Sequence, residues 1–177
     1  KVARIYNPRY GVLESLDEFL QMAQKDGWDI ENAPRVALGS FRHHVVFHQP
    51  KVVDALINAL EKEKILSVCL ITDDPKFKER MIEYKPDVVL HTSHTRNTAE
   101  FWEEVNVPRI HTLWFMDVPI AEWDTSIDCG MSLRSIDHLI TSAESKGATE
   151  CLAAGGTVSG TNSGEDITPI HNRIERI

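Results

Sequence analysis

The side chains with the widest chemical reach in this sequence are histidines, and they are unevenly spread. Five of the eight, His43, His44, His48, His91 and His94, fall in two short segments. These read Phe-Arg-His-His-Val-Val-Phe-His-Gln-Pro over 41–50 and His-Thr-Ser-His-Thr-Arg over 91–96. Imidazole ligates divalent metals and moves protons near neutral pH, so a gathered set suggests a metal or proton-transfer site. Arg42 and Arg96 accompany the histidines, and a guanidinium suits carboxylate or phosphate. Trp114, followed by Phe115 and Met116, offers a flat floor for a planar ligand, although aromatic clusters at strand ends more often belong to the core. Asp73 and Asp74 stand before Pro75, an order explained by a helix start rather than by a metal pair. His111 and His138 fall inside a strand pattern and a helix pattern, and read as structural.

These residues matter only if the chain gathers them, and the hydrophobic pattern says how it would. Leu13, Leu16, Phe19, Leu20 and Ala23 recur at helical spacing, with Gly27 suited to the helix end. From Pro34 the rhythm changes to short apolar runs at 35–41, 65–71, 87–91 and 108–115, separated by helical patterns at 51–64, 75–84 and 97–105. Strand and helix thus alternate four times, the signature of βαβ units and a parallel sheet with helices on both faces. The predicted fold is a three-layer α/β domain, Rossmann-like or flavodoxin-like, with a mainly parallel sheet and an N-terminal helical extension. Its expected parts are an N-terminal helical segment (1–32), the α/β domain (33–150), and a tail (151–177) with a small, Gly-rich loop at 153–164 and the start of a helix. In such sheets ligands bind beyond the carboxyl ends of the strands. The loops at 41–50, 72–74, 91–96 and 114–117 leave from those ends, and two of them carry the five histidines.

Composition narrows the partners. The chain has 177 residues with 27 acidic and 19 basic side chains, a net charge of −8. At ~100–200 residues per domain it is one domain, able to bury about 70% of its unfolded surface. The acidic balance argues against nucleic acid and anionic membranes, which call for basic clusters. No run approaches the ~18–20 apolar residues of a membrane helix, and there is no signal-peptide pattern. The three cysteines, Cys69, Cys129 and Cys151, lack metal or disulfide spacing and read as reduced thiols. The phosphate-loop, dinucleotide-binding, zinc-protease and nucleophile-elbow motifs are all missing, which disfavours nucleotide hydrolysis, dinucleotide redox chemistry and serine hydrolysis. The chain opens on Lys1 and stops inside a helical pattern at 169–177, as a piece of a longer polypeptide would.

A run of colinear motifs resembles one family. Ile5-Tyr-Asn-Pro8 followed by Leu13-Glu-Ser-Leu-Asp-Glu-Phe-Leu20 is similar to a stretch of cobaltochelatase large subunits (CobN), whose family includes the porphyrin-binding large subunits of magnesium chelatase. The similarity continues through Pro34-Arg-Val-Ala-Leu-Gly-Ser-Phe-Arg-His-His44, Val53-Asp-Ala-Leu56, Lys85-Pro-Asp-Val-Val89, Val107-Pro108, Trp123, Gly130-Met-Ser132, Ala143-Glu144 and Arg173-Ile-Glu-Arg176. The resemblance implies one internal module of a large subunit that inserts a divalent metal, Co²⁺ or Mg²⁺, with Fe the variant case, into a tetrapyrrole. Separate AAA+ ATPase subunits and the remaining domains of the parent chain would be its partners, ATP acting only through those subunits. Arg42, His44 and Glu144 fall on family motifs, and the resemblance implies catalytic roles for His44 and Glu144; beside it, the residue chemistry offers Arg42, Arg96 and Trp114 for tetrapyrrole contacts and His43, His44, His48, His91 and His94 for metal ligation. The family's His in Tyr-His-Pro is Asn7 here, and its small residues after His44 are replaced by Val45-Val-Phe-His48. Those departures bear on which metal and macrocycle are handled, and a non-catalytic module that carries haem or handles iron is the alternative. The expected location is the cytoplasm, or the membrane surface in the haem case.

Overall fold

The computed structural model describes residues 4–46, 50–92, 98–115, 119–123, 125, 136–159 and 167–177. A single eight-stranded sheet runs through it, in the order β2-β1-β4-β3-β5-β6-β7-β8. Its strands are β1 (Ile5–Asn7), β2 (Gly11–Leu13), β3 (Arg35–Ser40), β4 (Leu66–Ile71), β5 (Val88–His91), β6 (Arg109–Phe115), β7 (Glu150–Thr157) and β8 (Ile167–Pro169). The central five, β4-β3-β5-β6-β7, are parallel. An antiparallel hairpin flanks one edge and an antiparallel strand the other. Counted among themselves, the parallel strands follow the flavodoxin-like order, one of the two forms the alternating pattern left open.

The helices form where the spacing and the caps agree. In α1 (Leu16–Lys25), Ser15 accepts from the Glu18 amide at 3.2 Å, while the Glu18 carboxylate reaches back to the Glu14 amide at 3.0 Å, a reciprocal N-terminal cap. Its buried side chains, Leu16, Phe19 and Ala23, lie on the predicted stripe. The amphipathic α3 (Lys51–Lys62) buries Val52, Val53, Leu56, Ile57 and Leu60, all five of the predicted apolar positions. It covers one face of the sheet together with the last helical turn, His171–Ile174. On the other face, α1, α4 (Phe77–Tyr84) and α5 (Ala99–Val105) enclose a second core around Phe19, Phe77, Met81, Tyr84 and Trp102. Tyr84 is fixed there by donating to the Leu66 carbonyl at 2.9 Å.

Two stretches differ from the sequence expectation. The N-terminal segment contributes more than a helix, because β1 pairs with β4 through Ile5↔Leu70 and Tyr6↔Cys69. Within β1, Asn7 is fully buried, and its amide donates to Glu61 at 2.9 Å and to the Ser67 carbonyl at 3.1 Å. The first half of the predicted Gly-rich loop is β7, in parallel register with β6. Gly155 has a packing reason: a Cβ there would stand 2.6 Å from a methyl of Val52, so α3 can lie on this strand only if the strand is bare at that point. No helix among the described residues is long and apolar enough to cross a membrane.

Candidate functional site

In the flavodoxin-like order the switch point lies between the first and third parallel strands, here β3 and β5. Their carboxyl ends are Ser40 and His91-Thr92. The chain leaving β3 turns at once into the short helix α2 (Arg42–Val46), which folds His44 back over the strand ends. His44 is 6% exposed. Its ring lies against Trp114, near the end of β6, with centroids 4.1 Å apart and planes tilted by 36°. Phe41 and His43 extend the cluster: the His43 ring stacks on Phe41 at 5.3 Å and meets His44 edge-on at 4.1 Å.

The polar side of His44 is held from below. Its Nδ1 is 3.0 Å from the Ser40 hydroxyl, whose oxygen is 2.8 Å from the Thr92 hydroxyl, and Thr92 Oγ1 is in turn 3.1 Å from the Gly39 carbonyl. Ser40 is fully buried and Thr92 is 9% exposed. A continuous hydroxyl chain therefore ties the end of β5 to the imidazole that follows β3. Neither hydroxyl stands out in the sequence; the available signal is that each occupies a strand end beside a histidine.

In the neighbouring loop after β4 the aspartates have structural partners, as expected, but the helix starts later than the predicted Pro75, with Lys76 at its N-cap. Asp74 accepts from the Lys76 amide at 2.8 Å and pairs with Arg80 at 2.7 Å. Burial pushes the Asp74 carboxyl up, but the Lys76 amide and the Arg80 and Arg4 guanidinium groups outweigh it and hold the group below the usual carboxylate range. Asp73 accepts from the Arg42 amide at 3.3 Å, fixing the start of α2. Both aspartates thus serve local structure, and α4 begins at Phe77, two residues beyond Pro75.

The remaining expected site residues divide sharply. His43 and His44 come together on α2, with Arg42 at its first position. His91 does not join them. It is fully buried among the side chains of the other core, edge-on to Trp102 at 5.1 Å and 6.1 Å from the His111 ring. The bare Gly39 admits it there, since a Cβ would fall 2.8 Å from His91 Cδ2. The sheet stands between His91 and His44, so the two rings do not share a centre. Glu144 is exposed just ahead of β7, where the Ala143 carbonyl receives Arg109 from the start of β6. That is the opposite end of the strands from His44, about 20 Å away at the rise of a seven-residue strand. Glu144 and His44 therefore do not form the expected pair. His48, His94 and Arg96 lie outside the described residues. Among the described residues no three His, Cys, Asp or Glu side chains are grouped to hold a metal ion.

What remains is an imidazole on an aromatic floor, backed by hydroxyls and flanked by a second imidazole and an arginine. Such a set can accept a proton or hold a metal ion loosely.

The family model for CobN/magnesium chelatase matches residues 2–177. No curated protein sequence matches the chain. Among solved structures, the catalytic subunit of cobaltochelatase from Mycobacterium tuberculosis is similar with a TM-score of 0.66 and 17% sequence identity. That likeness covers 82% of this chain and 14% of the cobaltochelatase subunit. It supports the α/β architecture, whereas the family match spans residues 2–177, nearly the whole chain. The chain belongs to the CobN/magnesium chelatase family.

Proposed function

We propose that this chain is the part of a chelatase large subunit that meets both the tetrapyrrole and the divalent metal, with His44 as proton acceptor or metal ligand. The observation that supports this most directly is the seating of His44. A nearly buried imidazole is stacked on Trp114 beside the switch point, where open α/β sheets bind their ligands.

Metallation exchanges two pyrrole N–H protons for one divalent ion, so two protons need acceptors. The neighbouring imidazoles of His44 and His43, 4.1 Å apart, can take one each. A metal that is substrate must be held weakly enough to pass on, which favours a few neutral imidazoles over a closed thiolate cage. In this reading His48 and His94 add to the ligand set, and Co²⁺, Mg²⁺ or Fe²⁺ is the ion. Carboxylate arms of the macrocycle pair with Arg42 and Arg96, and the ring plane lies toward the Trp114 cluster. Energy comes from separate AAA+ ATPase subunits, and the other domains of the parent chain close the site. His91 and Glu144 have no part in it, for the reasons of geometry given above.

The test is a titration of the full-length protein with tetrapyrrole and with Co²⁺, Mg²⁺ or Fe²⁺, followed by metallation in the presence of the ATPase subunits. His44→Ala is expected to lower metallation by about 100-fold, the scale of a lost acid–base group. Unchanged metallation in that variant refutes the role of His44. Tight macrocycle binding with no metallation by the wild-type protein would instead identify a carrier of haem or iron.

A further inference from the structure

We propose that the cleft at the start of β6, at the opposite end of the sheet from His44, is a carboxylate site whose donors are Arg109 and Trp102. It stands apart from the chelatase reading and uses none of the residues placed there.

The cleft has a volume of about 370 Å³ and opens between the C-terminal end of α5 and the turn at 145–147, with Trp102, Arg109 and Lys146 in its lining. Arg109 is 1% exposed, and a guanidinium buried to that degree is ordinarily paired with a carboxylate. Among the described residues no carboxylate pairs with it; its partners are two carbonyls and a ring.

A guanidinium carries five N–H groups. Nη2 gives its two to the carbonyls of Ala143 and Lys146, whereas Nε and Nη1 have no acceptor. The Trp102 ring does not supply one. It lies against the flat face, 4.3 Å from the guanidinium carbon, while the N–H groups radiate in the plane. Trp102 brings an unmatched donor of its own: the residue is 7% exposed and its indole Nε1 has no acceptor. Burial draws the Arg109 pKa down to about 10, so at neutral pH the charge is kept and has no counter-charge. A buried cation with unmet donors, a second unmet donor stacked on it, and space for an acceptor all meet in one cleft.

The surroundings select the class of anion. α5 and the helical stretch at 136–144 both present their carbonyl ends here, and Glu103 is on the lining; each opposes a second negative charge. Lys146, also on the lining, contributes one more cation. A planar, singly charged carboxylate suits that balance better than a phosphate dianion, and its two oxygens match the guanidinium fork. The carboxylate comes either from a free small acid or from an Asp or Glu side chain elsewhere in the full-length protein.

Solid-state NMR of the full-length protein, with isotope-labelled nitrogen in its arginine and tryptophan side chains, tests this. In one arm, acetate labelled at the carboxyl carbon is added. In the other, the protein's own Asp and Glu are labelled at the side-chain carboxyl and acetate is left out. Carbon–nitrogen dipolar recoupling should place one carboxyl carbon about 4 Å from both a guanidinium nitrogen and an indole nitrogen. That signal in the first arm identifies a free acid, and in the second an internal side chain. It should vanish in Trp102→Phe and persist in Trp114→Phe, which separates this cleft from Arg42 and Trp114 at the far end of the sheet. Where acetate is the occupant, Arg109→Lys should weaken it by roughly tenfold, the scale of a lost charged hydrogen bond. The proposal is overturned by no paired contact in either arm, by a contact that survives Trp102→Phe, or by inorganic phosphate binding more tightly than acetate. The wild-type protein alone decides the first and last of these, even if a variant misfolds.

Discussion

Two rings each carry a nitrogen-rich side chain in this molecule, at opposite ends of the same strand. At the carboxyl end of β6, the His44 imidazole lies on Trp114 with centroids 4.1 Å apart. At its start, the Arg109 guanidinium lies 4.3 Å above the Trp102 ring. Both side chains are buried, and each lies a little over 4 Å from the centre of its tryptophan ring. Their polar partners differ in kind. Arg109 Nη2 donates to the carbonyls of Ala143 at 3.1 Å and Lys146 at 2.8 Å, the carbonyl end of the helical stretch at 136–144. Burial draws the Arg109 pKa down to about 10, which still leaves the group charged at neutral pH. His44 leans instead on hydroxyls, which donate or accept as required. Carbonyl partners fix a charge in place; hydroxyl partners leave it free to change. One stack is held by groups that can only accept, the other by groups that can do either.

The sharpest way to break this contrast is Arg109→Met, which removes the charge and orphans two carbonyls. With about 1.5–3 kcal/mol for each of the two hydrogen bonds to a charged group, the loss should be about 3–6 kcal/mol in urea unfolding. A change of less than 1 kcal/mol, an estimate set by an ordinary surface substitution, would mean that the carbonyl clasp is not a fastening. Gly39→Ala attacks the other end. Its Cβ would fall 2.8 Å from His91 Cδ2 and 3.3 Å from the Phe77 ring, so His91 must shift, at about 1–3 kcal/mol for overpacking.

A third kind of partner sharpens the comparison further. Asp74 holds Arg80 through a carboxylate, which, unlike a carbonyl or a hydroxyl, titrates. Its carboxyl is depressed in the folded state, so its contribution is complete above the unfolded carboxylate pKa and fades as pH falls through the lower folded value. Asp74→Asn should therefore cost about 1–2 kcal/mol at pH 7, on the scale of a charged hydrogen bond. The difference from wild type should close as the pH drops below the ordinary carboxylate range. A gap that persists unchanged in acid would show that charge is not what Asp74 contributes. Denaturant midpoints across pH measure it.

The parts of the fold that follow from apolar periodicity were legible in the residues. The five buried positions of α3 repeat at helical spacing because one face alone meets the sheet, and β3 to β6 are continuous apolar runs because helices cover both sides. The strands that escaped notice did so for physical reasons. β1, β2 and β8 have three residues each, too few for any period to show. β7 contains Gly155 because Val52 needs the space, and a strand stripped of side chains looks like a loop. In the site, His43 and His44 were readable from residue chemistry and from the order of family motifs. Ser40 and Thr92 were not, since a hydroxyl at a strand end carries no pattern until the partner strand is placed. Glu144 shows the limit of motif order: colinear similarity ranks residues along the chain and says nothing of which end of a strand they reach.

The shortness of β2 and β8 has a further meaning. An open sheet exposes backbone donors and acceptors along its rims, an invitation to join another sheet. Here each rim is a three-residue segment set antiparallel to its neighbour, too brief a template for an added strand. Among the described residues neither rim offers a long template for sheet extension, which leaves the helices and the tips of the strands, where His44 sits, as the broader faces.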